Sequence, residues 1–314
     1  MTTQSEIASK IVVAGGSGFI GRHLVGALGA AGYEVVVFSR GASGSSGGAR
    51  AVHWQPGASG PWQQELAGAL AVVNLCGAGI GDGRWTAARK RLLQDSRTVP
   101  SRALVTACSE LEHPPSMLLQ ASGVGYYGTG DAPLDEHSPP GDDFLARLAV
   151  AWEAPLDDPA LAAAGVGAAR LRFGVVLGRD GGALPQMLLP FRLFAGGPVA
   201  SGRQWLSWVH ISDLVSAILH TLAVSRDATA PLHGAINISS PHPVQNREFA
   251  AIAGRVLGRP ARLRLPRLAL EVALGEQATL ICDGQRALPT RLQAGGFEFR
   301  FPHLQEALAD LTRP

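Results

Sequence analysis

A chain of 314 residues is long enough for one large α/β unit or two lobes, and with 46% hydrophobic residues, 17% charged residues and a net charge of +2 it reads as globular rather than disordered. No Lys/Arg block suggests nucleic acid or an anionic membrane, no leader pattern opens the chain, and no apolar run approaches the ~18–20 residues of a membrane span. Cys76, Cys108 and Cys282 lie far apart, which argues against disulfides and a metal site, so a soluble protein of the reducing cytoplasm is expected.

The β-branched run 11–14 predicts a buried parallel strand. A glycine-rich turn, 15–21, leads into a helix over 19–31 with Ile20, Leu24, Ala27 and Leu28 on one face, ended by Gly32. A second strand follows over 34–38, then a Gly/Ser-rich stretch, 41–48, expected to be a mobile loop. Further along come a strand over 51–54, a helix over 63–70, a strand over 71–75 and a long helical pattern, 84–107, broken or kinked near Pro100. A core strand is expected over 116–122, a helical stretch over 144–164 interrupted near Pro155 and Pro159, and a strand over 168–177. This alternation predicts an α/β Rossmann fold, a doubly wound parallel sheet with helices on both faces. The nucleotide domain is expected over 1–178, with return segments to about residue 240. Past Gly178 the alternation stops, so 179–314 is expected to form a smaller substrate-facing C-terminal α/β lobe, with 178–198 as a flexible gate.

Gly15, Gly16, Ser17, Gly18, Phe19, Ile20 and Gly21 place glycines at GxxGxxG spacing between a strand and a helix. Bare backbone there admits a pyrophosphate, and the helix N-terminus offers unpaired N–H groups to it. An NAD-binding chain usually carries Asp or Glu at the end of the second strand, for the ribose 2′-hydroxyl. Here Ser39 and Arg40 stand there, suited to a 2′-phosphate. NADP(H) is therefore favoured, with NAD(H) left open. Leu75, Cys76 and Gly77 end a further strand with small residues that let a dinucleotide pass over the sheet edge.

Together with the segments 80–97, 121–128 and 201–213, these residues resemble the extended short-chain dehydrogenase/reductases, in an atypical NAD-dependent epimerase/dehydratase-like branch. The tail, with its 237–239, 241–244, 247–249 and 288–292 segments, is similar to that branch's C-terminal domain of unknown function, expected over 241–314. The resemblance implies a Tyr-x-x-x-Lys pair for proton transfer and a serine on the preceding strand. Ser122 occupies that strand end and is a candidate for both catalysis and cofactor binding. The helix that should carry the pair, DFLARLAVAWE, has neither Tyr nor Lys: Leu145 and Ala149, or Phe144 and Leu148, stand in their places.

Tyr126 and Tyr127 are the nearest phenols, and His210 is a candidate general base. Arg203, Gln204 and Trp205 combine a cation, an amide and an aromatic, fit for a carboxylate or phosphate beside a ring; Arg84 and Trp85 are further substrate candidates, and Arg97 and Arg172 could face the cleft. Two functions follow: an NADP(H)-dependent enzyme acting on a small molecule, as monomer or homodimer, or a catalytically degenerate nucleotide sensor working through protein partners.

Overall fold

The computed structural model describes residues 9–41, 43–46, 48–226 and 232–313. The nucleotide-facing half contains β1 (Lys10–Ala14), α1 (Phe19–Ala30), β2 (Glu34–Ser39), β3 (Gly44–Ser46), β4 (Ala49–His53), β5 (Ala71–Asn74), α2 (Ala87–Glu110) and β6 (Met117–Gly123). β7 (Pro133–Leu134), α3 (Phe144–Glu153), α4 (Pro159–Ala163), β8 (Gly167–Phe173), β9 (Val175–Leu177) and α5 (Leu184–Arg192) follow. Then come β10 (Trp205–Leu206), β11 (Trp208–His210), α6 (Ile211–Arg226), β12 (Gly234–Ile238), β13 (Val244–Gln245) and α7 (Asn246–Leu257). The chain closes with α8 (Arg267–Leu274), α9 (Thr279–Cys282), β14 (Arg286–Ala287), α10 (Thr290–Ala294) and α11 (Leu304–Thr312).

The main sheet has the order β12-β8-β6-β5-β1-β2-β4-β3. Seven strands run parallel and β3 adds an antiparallel edge. Strand order reverses between β1 and β5, which opens a crevice at the carboxyl edge of the sheet. Both faces are covered, so the central strands are mostly apolar: Val13, Leu119 and Leu171 meet Leu24, Leu28, Leu214 and Ile218 on one side. Val12, Val36 and Leu118 meet Trp54, Trp62, Leu104 and Cys108 on the other. Each of these large side chains contributes about 1.5–3 kcal/mol by leaving water. Past β12 the chain packs α7 against α5 and α11 against α7, and pairs β14 with β7.

Four local expectations change. The helix expected over 63–70 is a 3-10 turn, Pro61–Leu66, because Pro61 opens it and Gly68, at φ +63, stops continuation. The long helix passes through Pro100 unbroken: one ladder hydrogen bond is lost, but Leu93, Leu104, Val105 and Cys108 bury the same face on either side. The strand expected over 168–177 divides at Gly174, where a Cβ would stand 2.8 Å from the Ser207 carbonyl oxygen. Within the stretch expected as a mobile loop, 44–46 pairs as β3; Ala42 and Gly47 lie outside the described residues.

Candidate functional site

The glycine turn is a cradle of bare backbone at the crevice. Gly15, at φ +82, lies so close to the β5 loop that a Cβ would come within 2.9 Å of the Leu75 carbonyl carbon. A Cβ on Gly21 would stand 2.4 Å from the Gly15 oxygen, and one on Gly16 2.8 Å from Val37. Ser17 and Gly18 are exposed above this turn, and Phe19 and Ile20 are partly buried beside it. The hypothetical Cβ atoms of Gly178, Gly181 and Gly182 fall 2.3, 2.4 and 2.9 Å from the Phe19 ring, so that segment is seated on α1. Asp180 reinforces the seat through His23 at 3.0 Å and Arg22 at 3.8 Å. The stretch read as a gate is therefore fastened to the turn and carries α5.

Arg40 is exposed at the end of β2, and the Ser39 hydroxyl accepts from the Gly41 N–H at 3.1 Å. Cys76 lies within reach of the Arg40 charge; burial pushes its thiol up to about 12, and Arg40 opposes that shift. The Asn74 side chain holds the β5 end, donating to Gln120 at 2.9 Å and accepting from the Cys76 N–H at 3.1 Å. Cradle, Arg40 and the 75–77 loop thus share one edge of the sheet, and their chemistry fits a phosphate-rich dinucleotide.

Ser122, Tyr126 and Tyr127 come together around Arg172, with a partner the sequence reading had not singled out, Glu153. Ser122 is buried and donates to Glu153 Oε1 at 2.6 Å. Arg172 donates to the same carboxylate through Nε at 2.9 Å and Nη2 at 2.8 Å. Its Nη1 donates to the Tyr127 oxygen at 3.0 Å, and Tyr127 donates to Asn237 Oδ1 at 2.7 Å. The Tyr126 ring covers the guanidinium, 3.4 Å from its carbon. Burial pushes Tyr127 up to about 12 against the pull of Arg172, which makes it a poor acid at neutral pH. The signal for Glu153 was the single acid in the α3 sequence FLARLAVAWE, opposite in sign to Arg172 in the core strand β8.

α3 presents no proton-transfer pair to the cleft. Leu145 packs on Gly125, whose Cβ would lie 3.2 Å from that of Leu145, and Ala149 is buried. Around them Trp85, Leu93, Leu148, Ile80, Phe144 and Leu280 form a separate apolar cluster.

His210 belongs to a different set of contacts. Its ring stacks on Phe301 at 4.1 Å, and Nδ1 accepts from the Ser212 N–H at 3.1 Å. Nε2 lies 3.4 Å from the Asp310 carboxylate without a hydrogen bond, and burial lowers the imidazole pKa. Asp213 accepts from the Arg300 and Phe301 N–H groups at 3.0 and 2.9 Å, pinning the tail to α6.

The substrate candidates divide. Arg84 donates to the Val272 and Ala273 carbonyls at the end of α8, and Trp85 donates to the Ile80 carbonyl at 3.0 Å while its ring meets Phe144. Lys90 pairs with Glu276 and Gln277 donates to the Gly81 carbonyl, so the 81–90 segment fastens the C-terminal lobe. Gln204 is spent on the Val199 and Ile281 carbonyls, and Trp205 lies under Arg286. Arg203 is exposed and lines a cavity of about 800 Å³ between the 129–131 loop and the C-terminal lobe, together with Arg264, Arg267 and Cys282. Arg264 and Arg267 had no sequence signal, since they reach the cavity from distant segments. Among the described residues no cluster of His, Cys, Asp or Glu could hold a metal ion, and no helix is long and apolar enough to cross a membrane.

Residues 11–238 match the NAD dependent epimerase/dehydratase family. The chain belongs to this family. Residues 265–311 match a domain of unknown function, DUF1731. The "Epimerase family protein SDR39U1 homolog, chloroplastic" of Arabidopsis thaliana is 39% identical, covering 98% of this chain and 88% of its own. "Epimerase family protein YfhF" of Bacillus subtilis is 37% identical over 96% of this chain and 97% of its own. A crystal structure of human epimerase family protein SDR39U1 with NADPH superposes with a TM-score of 0.83 at 35% identity, covering 96% of this chain and 98% of that one. The epimerase/dehydratase resemblance and the Rossmann architecture read from the sequence both hold.

Proposed function

We propose that this member of the epimerase/dehydratase family binds NADP(H) on the glycine turn and acts on a small anionic molecule, as an oxidoreductase or epimerase. The observation that carries the cofactor reading is the end of β2: Arg40 stands exposed beside the cradle where a 2′-hydroxyl reader would be acidic. The human relative crystallised with NADPH supports it. Gly15, Gly16, Ser17, Gly18, Phe19, Ile20 and Gly21 would hold the pyrophosphate, Ser39 and Arg40 the 2′-phosphate, and the 75–77 loop the adenosine side. A bound nicotinamide supplies or accepts a hydride. Arg203 and Arg264, neither of them paired with a carboxylate among the described residues, line the 800 Å³ cavity together with Asp131 and the Arg267–Asp283 pair, and these two arginines are the groups that would receive an anion. The isolated thiols favour a reducing compartment, which we take to be the cytoplasm.

The lack of Tyr and Lys in α3, where Leu145 and Ala149 stand instead, favours a second reading, a nucleotide-binding sensor acting through protein partners. Calorimetric titration of cofactor-stripped protein with NADPH and NADH tests the shared foundation. NADPH should bind at least ~10-fold tighter, about 1.4 kcal/mol, and Arg40→Ala should erase the difference. Binding of neither nucleotide would overturn both readings. With binding established, loss of NADPH absorbance against a panel of anionic carbonyl compounds supports the enzyme, and silence across the panel supports the sensor.

A further inference from the structure

The exposed apolar side chains of this molecule gather on neighbouring segments. Leu189 and Leu193 stand one turn apart on α5, each more than half exposed, while Leu184, Leu188 and Phe191 pack inward. Phe194 follows, also exposed, with its backbone at φ +60, a left-handed conformation that a bulky side chain rarely holds. Leu268 and Val272 repeat the one-turn spacing on α8 at 70% and 72% exposure, while Leu270 packs inward. Leu263 and Leu265 are exposed just ahead of that helix. These segments adjoin. The Leu263 N–H donates to the Gly196 carbonyl at 3.1 Å and the Leu265 N–H to the Pro198 carbonyl at 3.0 Å, so the chain entering α8 runs beside the chain leaving α5. Arg259 adds a further link, its guanidinium 4.3 Å from the Phe194 ring.

The same segments are basic. Phe249 to Leu270 holds Arg255, Arg259, Arg262, Arg264 and Arg267 and no acid, and Gly181 to Ser212 holds Arg192 and Arg203 and no acid. The net charge of the whole chain is only +2, so the remaining residues are net negative. Every residue from 262 to 269, RLRLPRLA, is exposed, and arginines and leucines alternate there along the surface. The leucines between the arginines are why no Lys/Arg block stands out in the sequence. Arg267 is neutralised by Glu271 and Asp283, and Arg264 is tied to the Ala200 and Ser201 carbonyls. Arg192, Arg255, Arg259 and Arg262 pair with no carboxylate among the described residues.

We propose that this face docks on an anionic lipid surface, with the unpaired arginines at the phosphate headgroups and the leucines and Phe194 in the acyl boundary. Water solvates the arginines but leaves the large apolar side chains beside them unfavourably exposed, and an anionic bilayer accommodates both. A nucleic acid would meet the charge and leave the leucines in water. A second copy joined through the same face would set arginine against arginine. The docking is peripheral, by apolar insertion plus attraction to anionic headgroups, and needs no spanning helix. It involves neither the glycine turn nor Arg40, so it stands independently of the nucleotide reading.

Sedimentation of the full chain with vesicles tests it, comparing phosphatidylcholine alone with phosphatidylcholine containing roughly one phosphatidylglycerol in three. Wild type should bind only the anionic vesicles and should come off as salt rises toward about 1 M, where charges are screened within ~3 Å. Each arginine near such a surface contributes about fivefold, so Arg259→Gln/Arg262→Gln should lower partitioning by roughly 20- to 30-fold. Leu193→Ser/Leu268→Ser should lower it by about 10-fold or more, whereas Leu92→Ser, at an exposed leucine on α2, should leave it unchanged. All five side chains are exposed, so the variants should keep the fold, which circular dichroism verifies. Failure of wild type to bind anionic vesicles at low salt would overturn the proposal. So would binding that needs the arginines but survives in the leucine variant, which would assign the face to an acidic protein or a nucleic acid. A lipid-free dimer, seen by analytical ultracentrifugation and dissolved by the leucine variant, would assign the face to a second copy and overturn it as well.

Discussion

Glu153→Gln is the sharpest test of the buried network. The substitution keeps size and shape but leaves the Arg172 guanidinium without its negative partner. In the native protein the two side chains are 5% and 6% exposed, and three hydrogen bonds converge on the carboxylate, two from Arg172 and one from Ser122. Removing one member of a buried ion pair costs about 3–5 kcal/mol, because the remaining charge stays out of water. At the lower end of the ~2–4 °C per kcal/mol found for domains of 150–250 residues, the melting midpoint should fall by roughly 6–10 °C. Urea denaturation followed by circular dichroism measures the free energy, and a thermal scan the midpoint. The double variant Glu153→Gln/Arg172→Met should recover a large part of the loss, since it removes the orphaned charge as well. A single-variant loss below about 1 kcal/mol, or no recovery in the double variant, would mean that water or a neighbouring group compensates Arg172 and would refute the reasoning.

Gly21→Ala drives a methyl to 2.4 Å from the Gly15 oxygen, so the turn must open; NADPH affinity should drop by more than ~10-fold, as calorimetry would reveal, and an unchanged affinity would dissociate the turn from the nucleotide. His210→Gln tests the tail anchor through pH. The folded imidazole pKa lies below its ordinary value of 6.5, so the unfolded chain binds the proton more readily. His210 therefore adds stability above that value and loses it as the pH falls toward the lowered one; urea midpoints measured between about pH 7 and 5 should decline less steeply in the variant than in wild type, and parallel curves would contradict the assignment.

Local patterns carried most of the fold. The run 11–14, the glycine turn and the amphipathic spacing that follows are decided by neighbours in sequence, so strand, turn and helix were legible together. What escaped was settled by remote packing: Pro100 persists inside α2 because flanking turns are buried, and Gly174 divides a strand because Ser207 crosses it. The site followed the same rule. Gln204 reads as a substrate amide beside Arg203, yet one of its partners is the Ile281 carbonyl, brought in from the C-terminal lobe. Arg84 likewise reads as a cleft cation, and only the placement of α8 reveals that it caps a helix. The lack of Tyr and Lys in α3 was plain from the residues alone; the apolar cluster there includes Leu280, which no local spacing could supply.

The fastening of the 81–90 segment to α8 and Glu276 bears on how the gene can be cut. A fragment ending before Pro266 would strip Arg84 of the Val272 and Ala273 carbonyls, Lys90 of Glu276, and the Trp85–Phe144 cluster of Leu280. It would present aromatic surface to water beside the very loop that touches the glycine turn, an invitation to aggregate. Neither matched region is a portable module: swapping tails between relatives would require exchanging the 81–90 segment with them.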